Sequence, residues 1–156
     1  MNKCFQLSHK EQGISQFLAN PEHTDLMSLV QVSNINSNLS ILPGGPIPPN
    51  PTELVARESL PQAIDILKTH FDYIILDTAP IGMVTDTQLI SRVANASIYV
   101  CRADYTHKAD YTLINELSEQ KKLPNLCTPY QRTGHEEKEV RILLWIRQVW
   151  QVLRIR

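Results

Sequence analysis

A short apolar run that ends in an acid constrains the fold of this chain more than any other feature. Tyr73 to Leu76 is continuous and rich in isoleucine rather than alternating, and Asp77 follows directly. Such a run is typical of a strand that is covered on both faces, as in a parallel sheet with helices on each side. Ligands of these sheets lie beyond the carboxyl ends of the strands, which is where Asp77 is expected.

The residues that follow the run allow two interpretations. A carboxylate at Asp77 can hold Mg²⁺ or its water shell, because Mg²⁺ prefers hard oxygen ligands and phosphate oxygens. Pro80 cannot continue the strand, so the chain must turn away there. Together these features match the Walker B element of a nucleotide-binding fold. In the second interpretation, Asp77 or Thr78 caps a helix, because aspartate and threonine are common helix N-caps and a helix is predicted to follow.

Helices and strands are predicted to alternate around this run. The predicted helices are 13–20, a helix capped by Thr52 that runs to about His70, one capped by Asp86 or Thr87, and one over about 108–122. The predicted strands are 26–32, 39–42, 73–76, 96–102 and one that starts in 123–128. The β-α-β-α-β order with short links favours an α/β fold, with a mainly parallel sheet in three layers.

Composition excludes several classes of protein. The chain has 156 residues, 42% of them apolar, and a net charge of −1, which fits a globular domain without a general attraction to nucleic acid. Its three cysteines and five histidines are scattered, so neither a disulfide framework nor a zinc site is indicated. The sequence shows no signal peptide and no apolar span long enough for a membrane helix.

Two motifs in sequence resemble those of a known family. "LPGGPIPPNPTEL" precedes "FDYIILDTAPIGMVTD", and this pair resembles the bacterial tyrosine kinases of the capsular exopolysaccharide family, or BY-kinases. Those enzymes are deviant-Walker P-loop ATPases, related to the MinD and ParA types. "NKCFQLSHKEQGISQFLA" and "SIYVCRADYTHK" extend the similarity over about Asn2 to Thr128. Pro48 to Glu53 match the family's proline motif, where a rigid loop would present Glu53 at the start of a helix.

The resemblance implies roles for four residues. Asp77 matches the Walker B acid, which lies near Mg²⁺ and the γ-phosphate of ATP, and Thr78 lies next to it. Asp86 matches an acid that recurs after Walker B. Arg102 matches a basic residue at the end of the next strand, which either lies near the nucleotide or covers the carboxyl end of a helix.

The sequence also departs from the family pattern. A BY-kinase needs a glycine-rich phosphate loop that ends in Gly-Lys-Ser/Thr, and an acid pair in the motif called Walker A′. This sequence has only five glycines and contains neither motif. The resemblance therefore implies a fragment that is incomplete on its amino-terminal side, with its first strands before Met1. Such a fragment is expected to bind Mg²⁺ and ATP weakly and to have little or no kinase activity, because Asp77 alone cannot stabilise phosphoryl transfer.

The resemblance further implies a setting for the complete domain. The family carries out ATP-dependent autophosphorylation on tyrosine, which regulates capsule or exopolysaccharide synthesis and export at the cytoplasmic face of the inner membrane. Its expected partners are a membrane polysaccharide co-polymerase or adaptor segment and further copies of the kinase, with no nucleic acid. The alternatives are another MinD- or ParA-type ATPase and a non-catalytic interaction module. ATP binding by the isolated chain would argue against the interaction module.

The residue composition and pattern of the sequence change after Thr128. This change divides the chain into a partial kinase domain, 1–128, and an atypical tail, 129–156. The tail carries both tryptophans and allows three interpretations: an amphipathic helix that docks on the domain, a helix at a membrane surface, or a segment read out of frame. In the frame shifted by one base, the TGG codons of Trp145 and Trp150 both give glycine, because every codon that begins with GG encodes glycine. The frameshift is the favoured interpretation, and it predicts a loose helix that exposes both tryptophans.

Overall fold

The computed structural model describes residues 12–78, 84–102, 108–128, 130–131 and 141–147. The chain divides into two compact units, one formed by 1–72 with 149–156 and the other by 73–148. Within the described residues, no helix has both the length and the apolar character needed to cross a bilayer.

The first unit is mainly helical. Its helices are α1 (Ile14–Ala19), α2 (Pro51–Ala56) and α3 (Ser59–Lys68), with a 3₁₀ turn at Met27–Leu29 and the antiparallel strands β1 (Gln31–Val32) and β2 (Ser40–Ile41). Helix α1 packs against α3, and Phe17, Leu18 and Ile64 are each at most 3% exposed. The Ser59 hydroxyl donates a buried hydrogen bond of 2.9 Å to the carbonyl oxygen of Leu18. This contact joins the two helices within the core.

A proline divides the long helix that the sequence predicts between Thr52 and His70. In one continuous helix, the ring of Pro61 would clash with the carbonyl of Arg57, four residues earlier. The structure avoids this clash because Arg57 is extended, with φ −67° and ψ 159°, and α3 begins two residues later. The predicted cap was also wrong, since α2 begins at Pro51 with Asn50 at the N-cap position. Proline suits the first helical position, where no N–H is needed.

The predicted strand over 26–32 was only partly correct. Met27–Leu29 forms the 3₁₀ turn, and only Gln31 and Val32 pair as a strand. The backbone N–H of Met27 donates to the side chain of Asp25 over 3.0 Å. Asp25 therefore starts a local turn that competes with extended structure.

The second unit is a sheet with helices. Its elements are β3 (Tyr73–Asp77), α4 (Val84–Ser91), β4 (Ala96–Arg102), α5 (Lys108–Glu119), β5 (Leu126–Cys127), β6 (Tyr130–Gln131) and β7 (Arg141–Arg147). The strand order is β3-β7-β4-β5, and β6 also pairs with β4. Strands β5 and β6 run parallel to β4, whereas β7 is antiparallel to both β3 and β4. The α/β class is confirmed, but the strand between β3 and β4 breaks the mainly parallel order that the sequence predicts.

Part of the tail lies in this sheet. The predicted helix was wrong over Arg141–Arg147, which forms β7, while Trp150 lies outside the described residues. The run from Ile142 to Ile146 is apolar, with isoleucine at both ends and tryptophan within it, and such residues favour strands. Two neighbouring strands also offer backbone pairing along the whole of β7. This pairing outweighs the helical periodicity of the tail.

The core of the second unit lies on one side of its sheet. Tyr99, Ile114, Leu117 and Leu123 form a buried cluster, and Leu76 and Ile90 pack against it. Side chains alternate between the faces of a strand, so Tyr73 and Ile75 lie on the opposite face of β3 from Leu76. They are 54% and 66% exposed. The prediction that this run is covered on both faces was therefore wrong, because the observed packing covers only the Leu76 face.

Candidate functional site

Asp77 lies where the sequence placed it, at the carboxyl end of a strand. It is the last residue of β3, its side chain is exposed, and its backbone pairs with that of Leu143 on β7. Thr78 follows and is 9% exposed. Helix α4 begins only at Val84, so neither Asp77 nor Thr78 is its N-cap. The capping interpretation of this acid is thereby removed, and an exposed carboxylate at a strand end remains.

Asp86 lies inside the first turn of α4 rather than before it. The helix begins two residues earlier, so the prediction that Asp86 or Thr87 is its cap was wrong. Asp86 is half-buried and Thr87 is 3% exposed. An acid in the first turn is favoured by the partial positive charge of the helix amino terminus. This gives Asp86 a structural role, whether or not it also serves a ligand.

Arg102 ends β4, at the same edge of the sheet as Asp77, because β3 and β4 run in the same direction on either side of β7. The registers nevertheless separate them: Leu143 pairs with both Asp77 and Ile98, whereas Arg102 is four residues beyond Ile98. At a rise of about 3.3 Å per residue, Arg102 lies roughly 13 Å farther along the strand direction than Asp77. The backbone therefore does not bring these two residues together.

Glu53 lies in the first turn of α2, as the proline motif predicts. Its carboxylate forms an exposed ion pair of 3.1 Å with Arg57 and accepts a hydrogen bond of 3.3 Å from the side chain of Asn50. These local partners hold Glu53 at the end of the proline-rich loop. The contacts stabilise the helix start and do not by themselves indicate a ligand.

The donor set at the strand end fits only part of a metal site. Mg²⁺ is commonly held by one or two carboxylates, with water and substrate phosphates completing its six ligands. Asp77 can provide one such carboxylate. Among the described residues, no three His, Cys, Asp or Glu side chains are grouped so that they could hold a metal ion. A nucleotide bound here would need its phosphates held by groups other than Asp77.

Sequence reasoning missed one buried polar group on β4. Ser97 is fully buried, and its hydroxyl has no hydrogen-bond partner among the residues that the structure describes. Its register partners on β5 and β7 are Leu126 and Leu144, whose side chains cannot form hydrogen bonds. A serine within an apolar strand carries no clear signal in a sequence, since only the identity of its neighbours reveals the missing partner.

Sequence comparisons show that the chain is similar to proteins named as tyrosine kinases. No family model matches the chain. The chain is 35% identical over 120 residues to tyrosine-protein kinase CpsD of Streptococcus pneumoniae, which covers 77% of this chain and 52% of the relative. It is 33% identical over 99 residues to the putative tyrosine-protein kinase CapB of Staphylococcus aureus, which covers 63% of this chain and 42% of the relative. The chain thus spans about half the length of these relatives.

A more distant relative and a solved structure agree with this result. The tyrosine-protein kinase etk of Escherichia coli K12 is 28% identical over 110 residues, covering 70% of this chain and 15% of that protein. The crystal structure of the chimerical protein CapA2B2 matches with a TM-score of 0.69 and 28% identity, covering 85% of this chain and 58% of the other. The resemblance carried by the two motifs is therefore confirmed, and this chain is a relative of the bacterial tyrosine-protein kinases.

Proposed function

We propose that this chain provides the Walker B side of an ATP-dependent protein-tyrosine autokinase that acts in capsule or exopolysaccharide synthesis and export. One observation carries the proposal: Asp77 is exposed at the carboxyl end of β3 and does not cap the helix that follows. The relatives named as tyrosine-protein kinases supply the reaction class.

The residues of the chain would divide the work as follows. Asp77 would hold Mg²⁺ directly or through its water shell, and Thr78 would shape the backbone beside it. When bound, Mg²⁺ and ATP supply charge neutralisation and the phosphoryl group. Asp86 and Arg102 are weaker candidates for nucleotide contact, because one lies in a helix start and the other lies far along the sheet from Asp77.

We expect the isolated chain to be inactive and to bind Mg-ATP weakly. The sequence contains no G-x-x-x-x-G-K-[ST], whose backbone N–H groups and lysine supply most of the phosphate contacts in such sites. Titration calorimetry with ATP and Mg²⁺ measures this directly. Low-micromolar affinity would overturn this expectation, because it would show that the chain binds Mg-ATP tightly without a phosphate-binding loop.

The kinase assignment itself is tested in a chimera that joins the phosphate-loop portion of a bacterial tyrosine kinase to this chain. The chimera should autophosphorylate on tyrosine, and Asp77→Asn should reduce the rate by a factor on the order of 100, because it removes charge that acts through the metal. Asp72→Asn is the matched control, since Asp72 precedes the first residue of the same strand. Equal rates for the Asp77 variant and the unchanged chimera would show that Asp77 has no catalytic part.

The setting of the protein is proposed from the same relatives. The match to the chimerical protein CapA2B2 supports an adaptor or co-polymerase segment as partner. We further propose that the chain acts at the cytoplasmic face of the inner membrane. We further propose that the kinase self-associates into homo-oligomers. Co-purification of the chimera with the cytoplasmic segment of its co-polymerase would support this setting, and no association at micromolar concentrations would argue against it.

We also propose that residues 129–156 are read out of frame. The motivation is the change of residue composition after Thr128, and glycines in place of Trp145 and Trp150 fit the tyrosine- and glycine-rich segment expected in the shifted frame. Pairing of part of this segment as β7 does not require a selected sequence, because backbone pairing accepts any strand of suitable apolar residues. The nucleotide sequence decides the question: the shifted frame should encode a segment rich in tyrosine and glycine, and any other content ends the proposal.

A further inference from the structure

We infer that the exposed part of residues 26–52 is a self-association surface, which pairs with the same segment of a second copy of this chain. The segment includes the 3₁₀ turn, the β1–β2 hairpin and the proline-rich loop, and it is called the uncharged segment below. The surface would serve the self-association that is part of the proposed function, on which the inference rests. Neither Asp77 nor a nucleotide is involved.

The absence of charge is the first observation. The uncharged segment contains no Asp, Glu, Lys, Arg or His, although the four charged residue types make up 20% of the whole chain. In a twofold interface the same surface of both copies meets itself, so a charged side chain there would face its own like charge. A segment without charge avoids this repulsion. It does not fit nucleic acid or an anionic membrane, which attract Lys and Arg.

The apolar surface is the second observation. Among the described residues, six large apolar side chains are exposed, and four of them belong to the uncharged segment: Val32, Ile35, Leu39 and Ile47. Exposed apolar side chains in a stretch without charge match the composition of the buried core of a protein–protein interface. Pairing with a second copy would remove these side chains from water.

The β1–β2 hairpin holds three of the four in place through its backbone. The N–H of Ser33 donates to the carbonyl oxygen of Leu39 over 2.8 Å, and the N–H of Leu39 donates to the carbonyl oxygen of Asn36 over 3.0 Å. The hydroxyl of Ser33 accepts from the N–H of Ile35 over 3.1 Å. These bonds order the turn without burying the side chains of Ile35 and Leu39, which are therefore displayed on a fixed backbone.

The proline-rich loop presents the fourth. Every residue from 45 to 51 is a proline or precedes one, and proline fixes its own φ and disfavours the helical conformation in the residue before it. The start of the loop is anchored, because the N–H of Ile14 donates to the carbonyl oxygen of Pro43 over 2.9 Å. Ile47 is 92% exposed within this stiff loop. Its backbone is already restricted, so pairing costs little further backbone entropy.

The experiment is sedimentation equilibrium of the full chain at concentrations that span about two orders of magnitude. We expect an equilibrium between monomer and dimer. Ile35→Asp and Ile47→Asp should each raise the dissociation constant at least about tenfold, because the symmetry of the dimer places each new charge in the interface twice. Both sites are exposed, so the circular dichroism spectrum should not change. If one variant does not fold, the other decides.

Ile75→Asp is the matched control. Ile75 is also an exposed isoleucine, at 66%, but it lies on β3, outside the uncharged segment. Its substitution by aspartate should leave the dissociation constant unchanged. A dimer that Ile75→Asp weakens as much as Ile47→Asp does would overturn the inference, because any exposed apolar residue would then have the same effect.

A mixture of the unchanged chain with the Ile47→Asp variant tests whether the segment pairs with itself. In self-pairing the mixed dimer should be weaker than the unchanged dimer, because every interface contains the new charge. A mixed dimer of unchanged affinity would overturn the inference, since the unchanged segment would then dock on a different surface of the second copy.

The remaining outcomes separate the inference from the proposed function. A dimer that withstands both Ile35→Asp and Ile47→Asp would overturn the surface and leave the proposed self-association standing. A chain that is monomeric at every concentration would overturn both. Autophosphorylation of the chimera is measured independently, so the kinase assignment does not depend on either result.

Discussion

Strands β3 and β4 lie on either side of β7 and carry similar apolar sequences, yet their burial differs. On β4, Ser97 and Tyr99 are fully buried, whereas on β3 Tyr73 and Ile75 are 54% and 66% exposed. The buried residues of β4 face α5 and the segment after it, through Ile114 and Leu123. An apolar run thus shows that a strand has surface to bury, but the elements packed on each face decide whether that surface is buried.

The largest expected effect is found by comparing the tyrosine that each of these two strands carries. Tyr99→Ala should lower the free energy of unfolding by about 3–5 kcal/mol, because it empties a fully buried site in the main cluster. Tyr73→Ala should lower it by less than about 1 kcal/mol, as expected for a residue that is half exposed. Urea unfolding followed by circular dichroism measures both variants.

Equal losses for the two tyrosine variants would contradict the comparison. They would mean that the exposed face of β3 is covered in solution, by a second copy or by a part of the chain outside the described residues. Sedimentation of the unchanged protein at two concentrations separates these causes, since only self-association depends on concentration.

The second prediction extends the comparison to the first unit, which is closely packed at the level of the backbone. The N–H groups of Ile14 and Ser15 donate to the carbonyl oxygens of Pro43 and Gly44 over 2.9 and 3.1 Å. A Cβ on Gly13 would overlap the backbone at the Pro43 oxygen and the Gly45 nitrogen, so Gly13→Ala should cost about 1–3 kcal/mol through displaced backbone.

Gly44→Ala is the matched control, because a Cβ there would meet no atom within 4 Å. Its free energy of unfolding should stay within about 0.5 kcal/mol of the unchanged chain. If both glycine variants unfold at the same urea concentration as the unchanged protein, the close approach of α1 to this loop is not maintained in solution.

These differences show which features of the fold could be predicted from the sequence alone. It predicted β3, β4 and α5, and the end of β3 at Asp77, because those features follow from the length and limits of local apolar runs. It missed the break before Ser59, although Pro61 gave the signal. It could not predict that Arg141–Arg147 pairs between β3 and β4, since strand partners far apart in the chain leave no local pattern.

The candidate site likewise has one feature that the sequence could predict and others that it could not. The position of Asp77 was readable from its strand, and the capping alternative was settled only by the observed start of α4 at Val84. The distance between Asp77 and Arg102 depends on the registers of two strands with β7, which no single segment of sequence encodes. A resemblance assigns both residues to one site, whereas the registers keep them apart.

The smallest expected effect compares two buried serines, one in each unit. Ser59 and Ser97 are 6% and 0% exposed, but only the Ser59 hydroxyl has an observed partner, the carbonyl oxygen of Leu18 at 2.9 Å. Ser59→Ala should therefore cost about 1 kcal/mol, because it removes a hydrogen bond and leaves a buried carbonyl less satisfied.

Ser97→Ala should leave stability unchanged or raise it slightly, because the substitution removes a hydroxyl that is buried without a partner. Urea midpoints of the two variants, measured with the same slope, give the difference. A loss of 1 kcal/mol or more for Ser97→Ala, on the order of one good hydrogen bond, would show that the hydroxyl has a partner in solution. The packing around Ser97 would then be more complete than the structure indicates.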